Sequence, residues 1–561
     1  MTRFSVMAAS FDDGARDRLE AASIDRFSSR VRVGARRLRL SRPPCEGDTM
    51  GASHQERGAI EVIQDLMQQK WVYELFGEIG ARQGASAAHV EQLRAVDAAA
   101  HVFWPFQAPP FPVIAATASG STLTDIDGND YLDCHMGYGA QALHGHNPTP
   151  VVDFVREHLG KGTGNGYTNA LELELATLLR EILPHNEKFA FQHSGTGATQ
   201  SAIRLCRAHT GRRMVAKFEG TLHGSHDLAV HNTAPWYHGH PAVPFPEIGK
   251  DGIPLVSAFA GVTPAEPRDL LILPNDTALA VELIERHAGE LACILAEPAA
   301  SSFPFEETTI PMIREVAVAA RRLGVPFILD EVLTGFRSGL GGAAQKFDIP
   351  TDLVTYGKVI SGLGLPLSAI GGRADILDIS QTSGQSWTDF GQKTGLQGSH
   401  TGNYLSVAAS LATLQLLRDK GPAYYTELQA KVDRVQARLA AFRAAEGIPL
   451  RMVGFGDYIG CFQFLPEDSY TDYRVYSRAL NPATFILTLL LRKRGIYTLG
   501  MPMFFAGGAH SDADVDRLTD AVLESTLELR ANDFPFDLAW PATSAWGSGS
   551  SEWGSGSSNW S

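Results

Sequence analysis

The sequence predicts an α/β protein: a mostly parallel central sheet with helices on both faces, a smaller α+β C-terminal domain and an N-terminal helical extension. Two observations carry this. Between residues 151 and 420, short apolar runs alternate with helical segments, and Lys188–Gln192, Met214–Phe218, Leu291–Ala296, Pro326–Leu329 and Leu353–Thr355 are the clearest strands. Strands separated by helices in this way form parallel crossovers. From 421 to 540 the pattern changes to helices with a few strands, which suits a second, smaller core.

The remaining elements follow in chain order. Residues 1–49 carry Arg30, Arg32, Arg36, Arg37, Arg39 and Arg42 and end in Pro43-Pro44 with little apolar face, so a disordered basic extension is expected. Residues 50–105 read as a helical segment, because Ile60, Ile63, Leu66 and Met67, then Trp71, Leu75 and Phe76, recur at helical spacing. A cap on the main fold is the first role expected of it; dimerisation, shaping of a substrate channel and partner docking are others. Residues 106–150 contain a β-meander, VIAATASGSTLTDIDGNDYLD, with turn chemistry at Asp127, Gly128 and Asn129. Residues 151–420 form the large domain and 421–540 the small one. Residues 541–561 are a Gly/Ser/Trp tail, flexible by composition.

A net charge of −14 over 561 residues argues against nucleic-acid binding, which asks for a basic face. No stretch is apolar enough to span a membrane, and the first residues lack the apolar core of a signal peptide. Cys45, Cys134, Cys206, Cys293 and Cys461 are far apart and form no CxxC pair, as expected of reduced thiols in a cytoplasmic protein. His144-Gly145-His146 and His223-Gly224-Ser225-His226 have no carboxylate or cysteine at ligand spacing, so no metal site is expected.

Three features carry chemistry. Lys358 follows the apolar Leu353–Thr355 strand and Gly357, and precedes a Gly-rich stretch. A lysine held in a partly dry pocket has a lowered pKa and a free amine for imine chemistry. Asp330 ends the run PFILD, and a carboxylate at the carboxyl end of a parallel strand points into the crevice where such folds bind ligands. Val332 projects to the same side. Third, Ser194-Gly195-Thr196-Gly197 joins the strand KFAFQ to a helix, and amides at a helix start make an anion site.

The blocks SGTGATQSAIRLCRAHTGR, KFEGTLHGSHD, LAEP, ILDEVLTGFR, DLVTYGKVISGLGLPLSAIGG and GSHTGNYLSVAASLATL occur in the order found in class III aminotransferases. Over about residues 110–530 the chain resembles that family, and within it the glutamate-1-semialdehyde aminomutase branch. The resemblance implies pyridoxal-phosphate-dependent transferase fold type I and pyridoxal 5'-phosphate as cofactor. Lys358 then matches the Schiff-base lysine, Asp330 the carboxylate opposite the pyridine nitrogen and Val332 the residue under the ring. Gly195 and Thr196, with Ser194 beside them, match the phosphate-binding turn. His223 falls in the block near the cofactor, and Glu297 matches a glutamate there. Ser399, with Thr401 as second candidate, falls where the family places a residue that reaches the phosphate of the neighbouring subunit, which implies a homodimer with shared active sites.

The chain also departs from the family pattern. Gly197 stands where glutamate is common, Leu222 where an aromatic ring stacks, and Leu333 where glutamine is frequent. Met503, Phe504 and Phe505 replace an acidic feature of the aminomutase branch, and no arginine lies between Arg494 and Arg517 to clamp a carboxylate. The expected reaction is therefore transamination between small-molecule amine and carbonyl substrates, the carbonyl being bulky or apolar, with carrier-bound or long-chain compounds as a subset. The alternatives are an isomerase, either an aminomutase or an amino-acid epimerase, and a catalytically idle protein on the same scaffold.

Overall fold

The computed structural model describes residues 66, 68–98, 112–161, 168–233, 245–256, 261–262, 268–299, 303–454, 459–498 and 500–537. The expected extension 1–49, the tail 541–561 and Ile60, Ile63 and Met67 lie outside the described residues. Strands are numbered along the chain: β1 (Ala115–Ser119), β2 (Thr122–Asp125), β3 (Asp130–Asp133), β4 (Lys188–Gln192), β5 (Met214–Phe218), β6 (Leu270–Leu273), β7 (Leu291–Ala296), β8 (Phe327–Glu331), β9 (Leu353–Tyr356), β10 (Ser368–Gly372), β11 (Leu450–Val453), β12 (Ile459–Phe464), β13 (Ile496–Tyr497) and β14 (Met503–Phe505).

An unbroken apolar run such as β7 needs cover on both faces, and β7 lies inside a seven-stranded sheet of order β4-β10-β9-β8-β7-β5-β6. Its side chains alternate. Ile294 and Ala296 join one core with Phe327, Leu329 and Val354. Cys293 and Leu295 join the other, with Ile328, Leu353 and the helix Gly195–Thr210 through Ala198, Ala202 and Cys206. Pairs β5–β6, β5–β7, β7–β8 and β8–β9 are parallel. β10 is antiparallel to both neighbours, because only a short turn, Lys358–Ser361, and a few loop residues separate it from β9. A parallel crossover needs a longer connection.

A second core gathers Leu450, Met452, Phe462, Phe464, Ile486, Leu490, Leu518 and Val522. The helix Lys70–Ala81 adds Val72, Leu75 and Ile79 to it, so this helix covers the second core. Trp71 meets the edge of Phe534 with ring centroids 6.3 Å apart. β11, β12 and β14 form an antiparallel sheet here, while β13 pairs in parallel with β3 and completes a sheet of order β1-β2-β3-β13.

One long helical stretch, Tyr404–Glu446, touches both cores. It breaks at Gly421 (φ 66°, ψ −168°), just before Pro422. Val407, Leu411 and Leu414 pack with the large sheet, whereas Val432, Val435 and Leu439 pack in the second core. Glycine permits the left-handed backbone that this change of direction needs.

Candidate active site

The parity of β8 decides what its end presents. Ile328 faces the Gly195–Thr210 helix and Leu329 the other core, so Asp330 and Val332 share the face of Ile328. Both line a cavity of about 420 Å³. Asp330 is only 4% exposed. Its Oδ1 accepts from the Val332 amide (3.0 Å) and the Thr355 hydroxyl (2.9 Å), and its Oδ2 lies 2.7 Å from His223 Nδ1. The register that sets Asp330 opposite Thr355 across β8 and β9 supplies the hydroxyl. A carboxylate so held is fixed in direction and suited to a cationic nitrogen. Glu331, of opposite parity, points away and accepts from the amides of Ala343 and Ala344.

His223 is fully enclosed. Burial pulls its pKa below the ordinary histidine value, although Asp330 pushes the other way. A neutral imidazole facing a carboxylate at this distance carries its proton on Nδ1. Thr199 ties the neighbourhood together, its hydroxyl donating to the His223 carbonyl at 2.7 Å. Lys217, inside β5, is also buried, and its ammonium donates to the carbonyls of Thr221 (2.9 Å), Ala229 (2.9 Å) and His231 (2.7 Å). That lysine pins the loop carrying Leu222 and His223. Burial lowers its pKa to about 7.

The Gly195–Thr210 helix begins at the cavity wall, with Gly195 and Thr196 in the lining. The amides of a first helical turn have no partner within the helix. A methyl group on Gly195 would stand 2.9 Å from Val332 Cγ1, and one on Gly357 would stand 2.8 Å from the same atom. Two glycines therefore let Val332 seat between the helix start and the lysine turn. Lys358 has φ +48° and lines the cavity. Burial lowers its pKa; Asp330 and Glu297 oppose this shift and Arg337 adds to it. Glu297 accepts from the Leu222 amide at 2.9 Å. Its pKa rises to about 8, first through burial and then through Asp330.

The far wall is of another kind. β12 presents Ile459, Cys461 and Gln463, and β14 presents Met503 and Phe505. His135, Tyr138, Leu333 and Tyr476 complete it. Burial lowers the pKa of His135 to about 4, so it serves as a neutral ring, with the Tyr138 ring 4.4 Å away. Among the described residues this wall contributes no arginine or lysine.

The cavity thus unites Gly195, Thr196, Leu222, His223, Glu297, Asp330, Val332, Leu333 and Lys358. Ser194 is not in the lining: its hydroxyl caps the helix, accepting from the Gly197 amide at 3.1 Å. Ser399 is exposed, Thr401 is half-buried with its hydroxyl accepting from the Gly398 amide at 3.0 Å, and neither lines the cavity. Phe504 turns into the second core against the edge of His510, unlike Met503 and Phe505. Thr199, His135, Tyr138 and Gln463 line the cavity without having been singled out by the sequence reading. Thr199 had a visible signal, since it stands one helical turn beyond Gly195.

These groups fit pyridoxal phosphate. Asp330 suits the ring nitrogen, Val332 a ring face, the amides at Gly195 and Thr196 a phosphate, and Lys358 an aldehyde. The fold and the fitted cavity define a fold type I pyridoxal-phosphate enzyme. Residues 104–488 match the aminotransferase class-III family. Glutamate-1-semialdehyde 2,1-aminomutase of Thermomicrobium roseum is 33% identical over 423 residues, which cover 74% of this chain and 91% of that protein. Among solved structures, an omega-transaminase from Sphaerobacter thermophilus aligns with a TM-score of 0.71 at 27% identity, over 80% of this chain and 98% of its own. A beta-phenylalanine aminotransferase from Variovorax paradoxus aligns with a TM-score of 0.69 at 27% identity, over 82% and 97% of the two chains. The chain belongs to the class-III aminotransferase family, and its cofactor is pyridoxal phosphate.

Proposed function

We propose that the protein is an aminotransferase that moves an amino group from an amine to a bulky or apolar ketone or aldehyde. The observation that carries this reading is the far wall: Met503, Phe505, Ile459 and Leu333 line it, no arginine or lysine among the described residues does, and Arg337 lies outside the lining, over the Phe505 ring at 5.3 Å from its centroid. A buried carboxylate without a cationic partner is strongly disfavoured.

Pyridoxal phosphate, when bound, supplies a ring that stabilises negative charge on the carbon bearing the substrate amine. Lys358 Nζ would anchor the cofactor and then remove and return the proton on that carbon; burial, which lowers its pKa, favours the unprotonated amine that this role needs. Asp330, steered by His223 and Thr355, holds the protonated ring nitrogen. Val332 supports the ring, and Gly195 and Thr196 hold the phosphate. Glu297 stays largely neutral below about pH 8 and sets no second negative charge beside Asp330. The exposed position of Ser399 and the half-buried one of Thr401 suit residues that serve the phosphate of a second subunit in a homodimer.

A second reading is an aminomutase, favoured by the Thermomicrobium roseum relative. One experiment separates the two. The purified protein should show the cofactor band, at roughly 410–430 nm, and lose it on addition of an apolar amine. Release of the corresponding carbonyl compound, with recovery of the band on adding an apolar aldehyde, supports transamination. Bleaching by glutamate-1-semialdehyde alone, with no released carbonyl product from any amine, overturns it in favour of the aminomutase.

A further inference from the structure

Gln463 differs from every other residue of the far wall. It lies on β12, where Phe462 and Phe464 turn into the second core while Ile459, Cys461 and Gln463 turn to the cavity. Its side chain is 1% exposed. The amide Nε2 donates to Cys461 Sγ at 3.2 Å. The amide oxygen Oε1 is enclosed, and no described residue donates to it. The residue opposite on β11, Arg451, is engaged by the carbonyls of Leu465 and Pro466 and by the Asp468 carboxylate. Buried polar atoms in folded proteins almost always have a partner, and an enclosed carbonyl oxygen with none carries a desolvation penalty.

We infer that Gln463 Oε1 is a specificity group: it accepts a hydrogen bond from a hydroxyl or N–H at the distal end of the substrate, whose apolar body lies against Ile459, Met503 and Phe505. The substrate class is therefore an amine, or its carbonyl counterpart, with an apolar middle and a neutral hydrogen-bond donor at its far end. This deepens the aminotransferase reading above and rests on it. A site built to accept such a hydrogen bond discriminates against the analogue lacking the donor, because binding that analogue leaves the buried oxygen unpaired.

The test uses the holoenzyme and two series of probes: straight-chain ω-amino alcohols of increasing length, and n-alkylamines of matching length. The readout is the amine concentration that half-bleaches the cofactor band. At one chain length the amino alcohol should half-saturate at a concentration about tenfold lower than its alkyl match. Gln463→Leu should erase that ratio. Gln463→Asn, which keeps the amide but withdraws it by one methylene, should move the preference to a longer amino alcohol, a shift that a merely structural role would not produce. Equal half-saturation of alkylamines and amino alcohols at every length, or a preference that survives Gln463→Leu, overturns the inference and leaves the aminotransferase reading standing. Bleaching by neither series overturns both.

Discussion

The two ends of the cavity are built from different materials. At the large-sheet end, Asp330, His223, Glu297, Thr199 and the nearby Lys217 form a closed set of polar groups held by hydrogen bonds of 2.7 to 3.0 Å. At the far end, side chains from β12 and β14 are apolar and contact one another by shape, with Gln463 the exception. Under the proposed function the first end answers to a cofactor that never changes, and charge and hydrogen bonds set its geometry. The second would answer to a substrate, and volume sets its geometry. Alterations at the first should change whether the reaction runs, and alterations at the second should change which molecule it runs on.

Lys358→Ala gives the sharpest test of this division. Turnover should fall about 1,000-fold or more, since one side chain both anchors and moves protons, with the far-ultraviolet circular dichroism unchanged. Near-normal turnover would place the chemistry elsewhere. Next in size is Asp330→Asn, which removes the charge and keeps the shape: cofactor affinity should drop about 10- to 100-fold, read from loss of the visible band on dilution. Retention of the band would mean that the ring nitrogen lies elsewhere.

Phe505→Ala tests the other end. It should raise KM for a bulky apolar substrate about fivefold or more while cofactor affinity stays within about twofold. If the band is lost with it, the two ends are not separable. The smallest effect concerns Glu297. Its pKa in the folded protein is raised from 4.5 to about 8, so its contribution to stability is complete below about pH 4.5 and is lost as pH rises towards 8. The thermal midpoint of cofactor-free protein should fall across that window and should fall less in Glu297→Gln. Parallel curves for the two proteins would show that Glu297 does not titrate there.

The same division explains what was legible in the sequence. Strands β4, β5, β7, β8 and β9 stand out as apolar runs between helices, and Lys358, Asp330, Gly195 and Thr196 stand out because strand ends and helix starts are readable from punctuation. β8 was expected at Pro326–Leu329 but runs Phe327–Glu331, since the polar Asp330 and Glu331 still pair with β9. β10, of composition SAIGG, does not announce itself as a strand, because its two glycines weaken the pattern. Gln463 and His135 were not legible, because nothing local distinguishes a polar residue facing a cavity from one facing solvent. Lys217 was missed for a related reason: the one charged residue in MVAKF is satisfied by carbonyls up to fourteen positions away. Ser194 reads as part of the anion site because hydroxyls serve phosphates and helix caps equally well; its oxygen accepts from the Gly197 amide as a cap, and that bond does not use the hydroxyl proton.

The parallel pairing of β13 with β3 also bears on how the chain is made. Leu132 and Ile496 are register partners, roughly 360 residues apart. At about 5–20 residues per second, the ribosome takes roughly 20–70 s to supply the partner after β3 has emerged. During that interval β3 is an open strand edge, paired on one side with β2 and bare on the other. The β1–β3 meander therefore has an edge whose partner is made late, and shielding it from like neighbours matters on a crowded polysome. Slowing synthesis through the middle of the coding sequence would lengthen that exposure without touching any residue of the finished protein.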